Sequence, residues 1–313
     1  MAHVLAVDLG GTKCSAAVID RKGQVVSQLT ASVDTSGPRA PVLQIVQLAK
    51  TLAGAKTAKD AFVAASVAVP GLVRPTGTVW APNLPGWKQL PLARLLRRSL
   101  GIPVLVESDR NAAVLGEAWR GAARGKSDVI VLMIGTGIGA GILSGGRIVR
   151  GAHELSGCAG WLTVTREEVP SAAARGELES LVAGPAIARA AQARLRAGES
   201  SSLAGFAAAS ITANDVATAA RRGDPVARDI LVRSGRYLGF AIANLISLFD
   251  PQIVVVGGGL AAASDLFLAP ARRAMAERAQ PLAAARVKIA VSRLGNKANL
   301  LGCAHLAWKA ARS

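Results

Sequence analysis

One pattern occurs twice along the chain and constrains its fold more than any other feature. Val4-Leu5-Ala6-Val7 is an apolar run ending at Asp8; Gly10 and Gly11 follow, and a second apolar run takes Cys14 to Ile19. A further apolar run, Val129 to Ile134, ends in Gly135-Thr136-Gly137, and apolar residues resume from Gly139 to Leu143. Short apolar runs separated by glycines predict β-hairpins, because glycine supplies turn backbone that other residues resist. Gln24 to Ala31 extends the first hairpin, and Arg147 to Val149 the second.

α/β material follows each hairpin. After the first come a helix over Pro41 to Leu52, a strand over Ala61 to Val69 ending in Pro70-Gly71, a basic amphipathic helix over Leu90 to Leu100, a buried-type strand over Ile102 to Glu107 and a helix over Asn111 to Arg120. After the second, helical patterns run from Pro185 to Ile246, with an N-cap and acidic first turn near Thr212 to Asp215. Ile253 to Val256 and Lys288 to Val291 read as strands, and Leu300 to Ala311 as the last helix. Ala172 to Ala174 and Glu199 to Ser202 read as loops. Two such halves fit two lobes around a cleft, and 313 residues suffice for them.

Composition narrows the setting. Half the residues are hydrophobic (51%), but alanine and glycine supply much of that, so closely packed layers are expected rather than a disordered chain. The formal net charge is +17, which raises the question of nucleic acid. The basic residues are scattered, with Arg97-Arg98, Arg221-Arg222 and Arg272-Arg273 the densest places, so solvated helix faces and a general attraction for anionic nucleotides are expected instead. Cys14, Cys158 and Cys303 are far apart and form no CxxC, which points to a reducing, cytoplasmic setting. Asp8 arrives too early for a signal peptide, and the uncharged stretch from Val129 is broken by glycines, so no membrane span is expected.

Four motifs could carry chemistry. In Asp8-Leu9-Gly10-Gly11-Thr12-Lys13 a strand delivers a carboxylate, which can hold the hydration shell of Mg²⁺, and two glycines let backbone N–H groups approach an anion. An ordinary hairpin turn would use the same residues. Gly135-Thr136-Gly137 is a second such turn; no helix follows it, so a dinucleotide-binding reading fails on context. Paired across a cleft, the two turns could grip one polyphosphate. Asp109, in Glu107-Ser108-Asp109-Arg110-Asn111, is placed either to take a proton from an attacking hydroxyl or merely to cap the following helix. Val254-Val255-Val256-Gly257-Gly258-Gly259 could present backbone to adenosine, or could be only a tight strand-to-helix turn.

The ordered set DLGGTK, APNLPGW (Ala81 to Trp87), ESDRNAA, GTGIGAG, VVVGGG and LLGCAHLA resembles the ROK family (repressors, open reading frames, kinases) over nearly the whole chain. The resemblance implies an α/β, two-lobed actin-like ATPase (ribonuclease H-like) fold with a central cleft. The expected small lobe is residues 1–115, completed by a C-terminal helix at 298–313, and the large lobe is 116–297. It implies ATP-dependent phosphorylation of a hexose or N-acyl hexosamine hydroxyl, with ATP and Mg²⁺ required. Asp8, Gly10, Gly11, Thr12, Lys13, Gly135, Thr136 and Gly137 match the phosphate motifs, and Gly257 and Gly258 the adenosine motif. Asp109 matches the catalytic base, while Asn83 and Glu179 match sugar-contacting residues. The partners implied are a small sugar and a second copy of the chain.

The chain departs from that family at the sugar site. Ser108 stands where the family has Asn, Cys158 where it has a sugar-binding Glu, and Trp161 where a His ligates zinc and contacts sugar. Ala172-Ala173-Ala174-Arg175-Gly176-Glu177-Leu178-Glu179 replaces a cysteine-rich segment, so no structural zinc is expected. Trp161 either offers an apolar face to a pyranose ring or plugs space left by the metal. The alternative function is a weakened sugar- or nucleotide-binding regulator. The repressors of the family carry a DNA-binding domain ahead of the first motif, and only three residues precede Val4, so direct nucleic-acid binding is not expected.

Overall fold

The computed structural model describes residues 2–312, and the chain divides into two compact units. The first comprises residues 1–125, 150–156 and 296–313, and the second 126–149 and 157–295. The first unit thus runs ten residues past the expected boundary at 115 and takes back a short segment from the second hairpin's far end.

The first unit contains β1 (Val4–Leu9), β2 (Lys13–Ile19), β3 (Val25–Ser32), α1 (Ala40–Ala53), α2 (Ala58–Ala61), β4 (Ala65–Val69), β5 (Leu72–Val73), β6 (Val79–Trp80), α3 (Leu92–Leu100), β7 (Val104–Ser108) and α4 (Asp109–Arg120). The C-terminal helix, Lys297–Ala310, also belongs to it. Its main sheet has the order β3-β2-β1-β4-β7. The first three strands are antiparallel neighbours, and β4 and β7 add in parallel. Strand β4 is buried at every position, as a parallel strand covered on both faces must be. Leu5, Val7, Ile45, Val67, Leu92 and Leu96 belong to one hydrophobic core.

The second unit contains β8 (Val129–Ile134), β9 (Ile138–Ser144), β10 (Arg147–Ile148), α5 (Ala172–Arg175), α6 (Glu177–Val182), α7 (Gly184–Arg196), α8 (Ala213–Arg221), α9 (Pro225–Phe249), β11 (Ile253–Gly257), α10 (Ser264–Arg278), α11 (Pro281–Arg286) and β12 (Lys288–Val291). Its sheet order, β10-β9-β8-β11-β12, repeats that of the first unit, with the same antiparallel meander and the same two parallel additions. This is the ribonuclease H-like topology of actin-like ATPases, present twice. Helix α9 carries much of the second core through Leu238, Ile242, Leu245 and Ile246.

Several elements depart from expectation. The helix expected from Leu90 starts at Leu92, because Leu90 is held in a bridge with Val79 and Pro91 precedes the first turn. The β5–β6 hairpin has strands of two residues, too short to show alternation. Ala172–Arg175, expected as a loop, forms one helical turn, and Ser202–Gly205 one 3₁₀ turn. The N-cap at Thr212 is a full capping box: its hydroxyl accepts from the Asp215 N–H, and Asp215 accepts from the Thr212 N–H at 2.8 Å.

The C-terminal helix reaches the sheet by packing backbone to backbone on α4. A Cβ at Gly302 would lie 1.8 Å from the Ala112 carbonyl oxygen, and one at Gly116 2.0 Å from that of Ala298. Neither contact can be relieved by a flexible side chain. Gly302→Ala is therefore expected to destabilise the protein by at least about 1–3 kcal/mol, the usual cost of overpacking, in urea unfolding monitored by circular dichroism.

Candidate functional site

Parallel strands place the sequence-singled carboxylates together. Asp8 lies near the carboxyl end of β1, and Asp109 opens α4 directly after β7; only β4 separates the two strands. In open α/β sheets this end of the strands is where ligands bind. Asp109 does not cap its helix. Ser108 occupies the N-cap, and Asp109 Oδ1 accepts the free N–H of the next residue, Arg110, at 2.8 Å. Asp109 therefore stands at the first helical position rather than at the N-cap, with its carboxylate on a first-turn N–H.

Both carboxyls are pushed above the ordinary aspartate value. Burial raises Asp8 to about 6; a hydrogen bond from Asn299 Nδ2 to Oδ1, 3.0 Å, opposes the rise, and the negative charge of Asp109 adds to it. Burial likewise raises Asp109, while the Arg110 N–H and the Arg110 charge hold part of the rise back. Two repelling, partly desolvated carboxylates are a disposition found where protons or cations are handled. Asn299 Oδ1, beside Asp8, is buried with no hydrogen-bond partner. A hydrated Mg²⁺ would satisfy that orphan acceptor and offset the charge of Asp8, so the residues present fit the ion.

The sequence reading missed what holds this corner. Glu107, buried at the end of β7, accepts from the Ser108 N–H and from Asn111 Nδ2, each at 2.9 Å. Arg150 grips the same carboxylate with both terminal nitrogens and reaches Glu154 at 3.3 Å. Arg110 donates to the Glu154 carbonyl at 2.8 Å. Segment 150–156 is thus fastened beside Asp109, with Glu154 in the left-handed region at φ 60°. A Glu two residues before the Asp, at the end of an apolar strand, was the available signal.

The first glycine turn closes with the Gly10 N–H donating to the Lys13 carbonyl at 2.9 Å, leaving Gly11, Thr12 and Lys13 exposed. In the second unit, Gly135 donates to the Gly137 carbonyl at 2.9 Å, and Thr136 is exposed. A Cβ on Gly11 or Gly135 would meet nothing within 4 Å, and neither residue has a left-handed φ. Nothing inside the described chain demands glycine at these two places, and the space beside each leaves its backbone open to approach. Gly258 is different: at φ 82° its Cβ would lie 2.4 Å from the Ile134 carbonyl oxygen.

A cavity of about 610 Å³ opens within the second unit. Gly135 and Thr136, the start of α7 at Gly184-Pro185, Thr212 to Asn214 and Gly259 line it. Gly257 and Gly258 lie outside the lining and position the third glycine, which faces it. The start of α7 went unrecognised as a site; its Pro at the first helical turn was the available signal.

The expected sugar-contacting residues are divided between the two units. Asn83 is exposed in a turn of the first unit. Ser108 is 3% exposed, and its hydroxyl is enclosed without a partner. Cys158 precedes a 3₁₀ turn, Ala159–Trp161, at the end of which Trp161 is 58% exposed. Trp161 therefore plugs no space. Glu179 accepts from the Ile138 N–H at 2.8 Å, so one carboxylate oxygen braces the second glycine turn. Glu177, from the segment expected to have lost its metal, ties down the loop after Trp161 by accepting from the Val164 and Thr165 N–H groups at 2.5 and 2.8 Å. Among the described residues no cluster of three or more His, Cys, Asp or Glu side chains could hold a metal ion.

The sequence model of the ROK family matches residues 4–310. The chain belongs to the ROK family. The glucokinase of Streptomyces coelicolor is 34% identical over 98% of each chain. A ROK family glucokinase from Streptomyces griseus, solved with glucose and AMPPNP, superposes with a TM-score of 0.81 at 32% identity, covering 98% of this chain and all of that one. A ROK family transcriptional regulator homologous to the E. coli MLC protein gives 0.87 at 27% identity, covering 99% of this chain and 78% of its own. ROK kinases and regulators thus share this fold, and the site residues must separate them.

Two outcomes test this geometry. Arg150→Ala strands the Glu107 charge and is expected to cost about 1.5–3 kcal/mol in urea unfolding, the range for hydrogen bonds to a charged group. Asp8, with its folded value raised, binds a proton more tightly folded than unfolded, so stability falls as pH rises from 3.8 to about 6 and levels off above. Asp8→Asn should then be more stable than the parent above pH 6, with the gain vanishing below pH 4 in unfolding curves taken across that range.

Proposed function

We propose that this ROK protein transfers the γ-phosphoryl group of ATP to a hydroxyl of a hexose or N-acyl hexosamine, with Asp109 as the general base. It is an ATP-dependent carbohydrate kinase. The observation that carries the catalytic assignment is the Asp109 carboxylate, kept off the cap of its helix and set beside Asp8 at the carboxyl end of a parallel sheet.

The residues divide the work as follows. Gly10, Gly11, Thr12 and Lys13 in the first unit, and Gly135, Thr136 and Gly137 in the second, offer backbone N–H groups, hydroxyls and an ammonium to phosphate oxygens. The cavity beside Gly259, supported by Gly257 and Gly258, takes the adenosine. Mg²⁺, held through water by Asp8 with Asn299 alongside, would supply positive charge to the phosphates. Asn83, Ser108, Cys158, Trp161 and Glu179 are the candidate sugar contacts, with Trp161 free to stack on a pyranose face. Asp109 accepts the proton of the reacting hydroxyl as its oxygen bonds to the γ-phosphorus; the bond to the bridging oxygen of ADP breaks, and ADP carries away the electron pair. Phosphoryl transfer needs little more from a protein than this positioning and charge stabilisation.

The raised value of Asp109 suits the role, because a stronger base takes the hydroxyl proton more readily. We further propose a cytoplasmic homodimer that does not bind nucleic acid directly. Buried free thiols at Cys14 and Cys303 support a reducing compartment, and the dimer rests on likeness to the family. No helix among the described residues is long and apolar enough to cross a membrane. The second reading, a sugar-binding regulator, is favoured by the 0.87 superposition on a transcriptional regulator and by Cys158 and Trp161 at the sugar site.

An ADP-release assay with MgATP across common hexoses and N-acyl hexosamines separates the two readings. At least one sugar should turn over, and Asp109→Asn should lower that rate by about 10²–10⁴-fold or more, the contribution of a positioned base. No sugar-dependent turnover above the Asp109→Asn background would favour the regulator.

A further inference from the structure

A second large groove, of about 970 Å³, lies in the second unit, lined by residues different from those of the 610 Å³ cavity. One side is a face of α9, where Arg233, Arg236, Tyr237 and Phe240 recur at helical spacing; the other sides are Arg166, in the segment after Trp161, and Arg278, at the end of α10. Four guanidinium groups therefore line one concavity, against two carboxylates, Glu167 and Asp229. Asp229 is already engaged, since Arg194 donates to it at 2.7 Å. None of the four arginines forms an ion pair among the described residues.

Aromatic side chains order part of the set. Arg278 rests over the Phe240 ring at 5.5 Å, and Arg233 lies against the Tyr237 hydroxyl. Such support lowers the entropy that a long side chain would lose on gripping a ligand. Guanidinium forks match phosphate oxygens in pairs, and although Glu167 and Asp229 act on Arg233, four cations against two carboxylates leave the groove with an excess of positive charge. Four forks exceed what a single phosphate can use.

We propose that this groove is a binding site for a small compound carrying two or more phosphate groups, separate from the site of phosphoryl transfer. It accounts for part of the +17 charge that the kinase reading leaves unused. The ligand is a polyphosphate chain or a sugar bearing two phosphates; both present the same spaced dianions.

The test is calorimetric titration of inorganic tripolyphosphate, and in parallel of a hexose bisphosphate, into the full chain saturated with AMPPNP. Saturable binding of at least one compound is expected, weakened tenfold or more in an Arg233→Ala, Arg236→Ala double variant and unchanged in a Lys56→Ala, Lys59→Ala variant that removes the same charge from the first unit. Both pairs are exposed, so the fold should survive, with circular dichroism as the check. Tighter tripolyphosphate assigns the chain, and tighter bisphosphate assigns the sugar. Absence of saturable binding, or equal weakening in both double variants, overturns the proposal. The readout involves no phosphoryl transfer, so it can fail while the kinase stands, and the reverse.

Discussion

Asp8 and Asp109 repel one another across the width of a single strand, and much of the first unit holds them there. Parallel pairing of β1, β4 and β7 brings their carboxyl ends level. The C-terminal helix, packed through Gly302 on α4, brings Asn299 to Asp8. Glu107, gripped by Arg150, fixes the residue before the start of α4 and fastens segment 150–156 beside it. Desolvation and mutual charge are unfavourable to folding; in return they leave a strong base and a cation-seeking acid at one edge of the sheet.

That arrangement also explains why the fold alone does not identify the activity. The same doubled topology serves a glucokinase and a transcriptional regulator. The activity must be decided locally, by whether a carboxylate can accept a proton and whether the glycines of two exposed turns admit phosphate. Gly11 and Gly135 are informative here because the chain itself gives them no reason to lack a side chain.

Much of this was legible in the residue order. Apolar runs punctuated by Gly10-Gly11 and Gly135-Thr136-Gly137 gave both hairpins, and Thr212 with Asp215 announced its capping box. Helix α4 was found, but the local pattern left Asp109 open between cap and base, since an Asp before a helix looks the same whether it caps or stands one residue in. The grip of Arg150 on Glu107 spans 43 residues and has no local signature. The β5–β6 hairpin is too short for periodicity to register, and Trp161 could be judged filler or exposed face only once its neighbours were placed. The arginine groove escaped notice because its members come from three separated elements.

The most direct test of the account is a crystal structure of the protein with AMPPNP and the sugar it turns over best. The account predicts one carboxylate oxygen of Asp109 within roughly 2.6–3.2 Å of the hydroxyl nearest the γ-phosphorus, the reach of a general base. A sugar bound with that hydroxyl facing another group, beyond hydrogen-bond reach of either Asp109 oxygen, would contradict it.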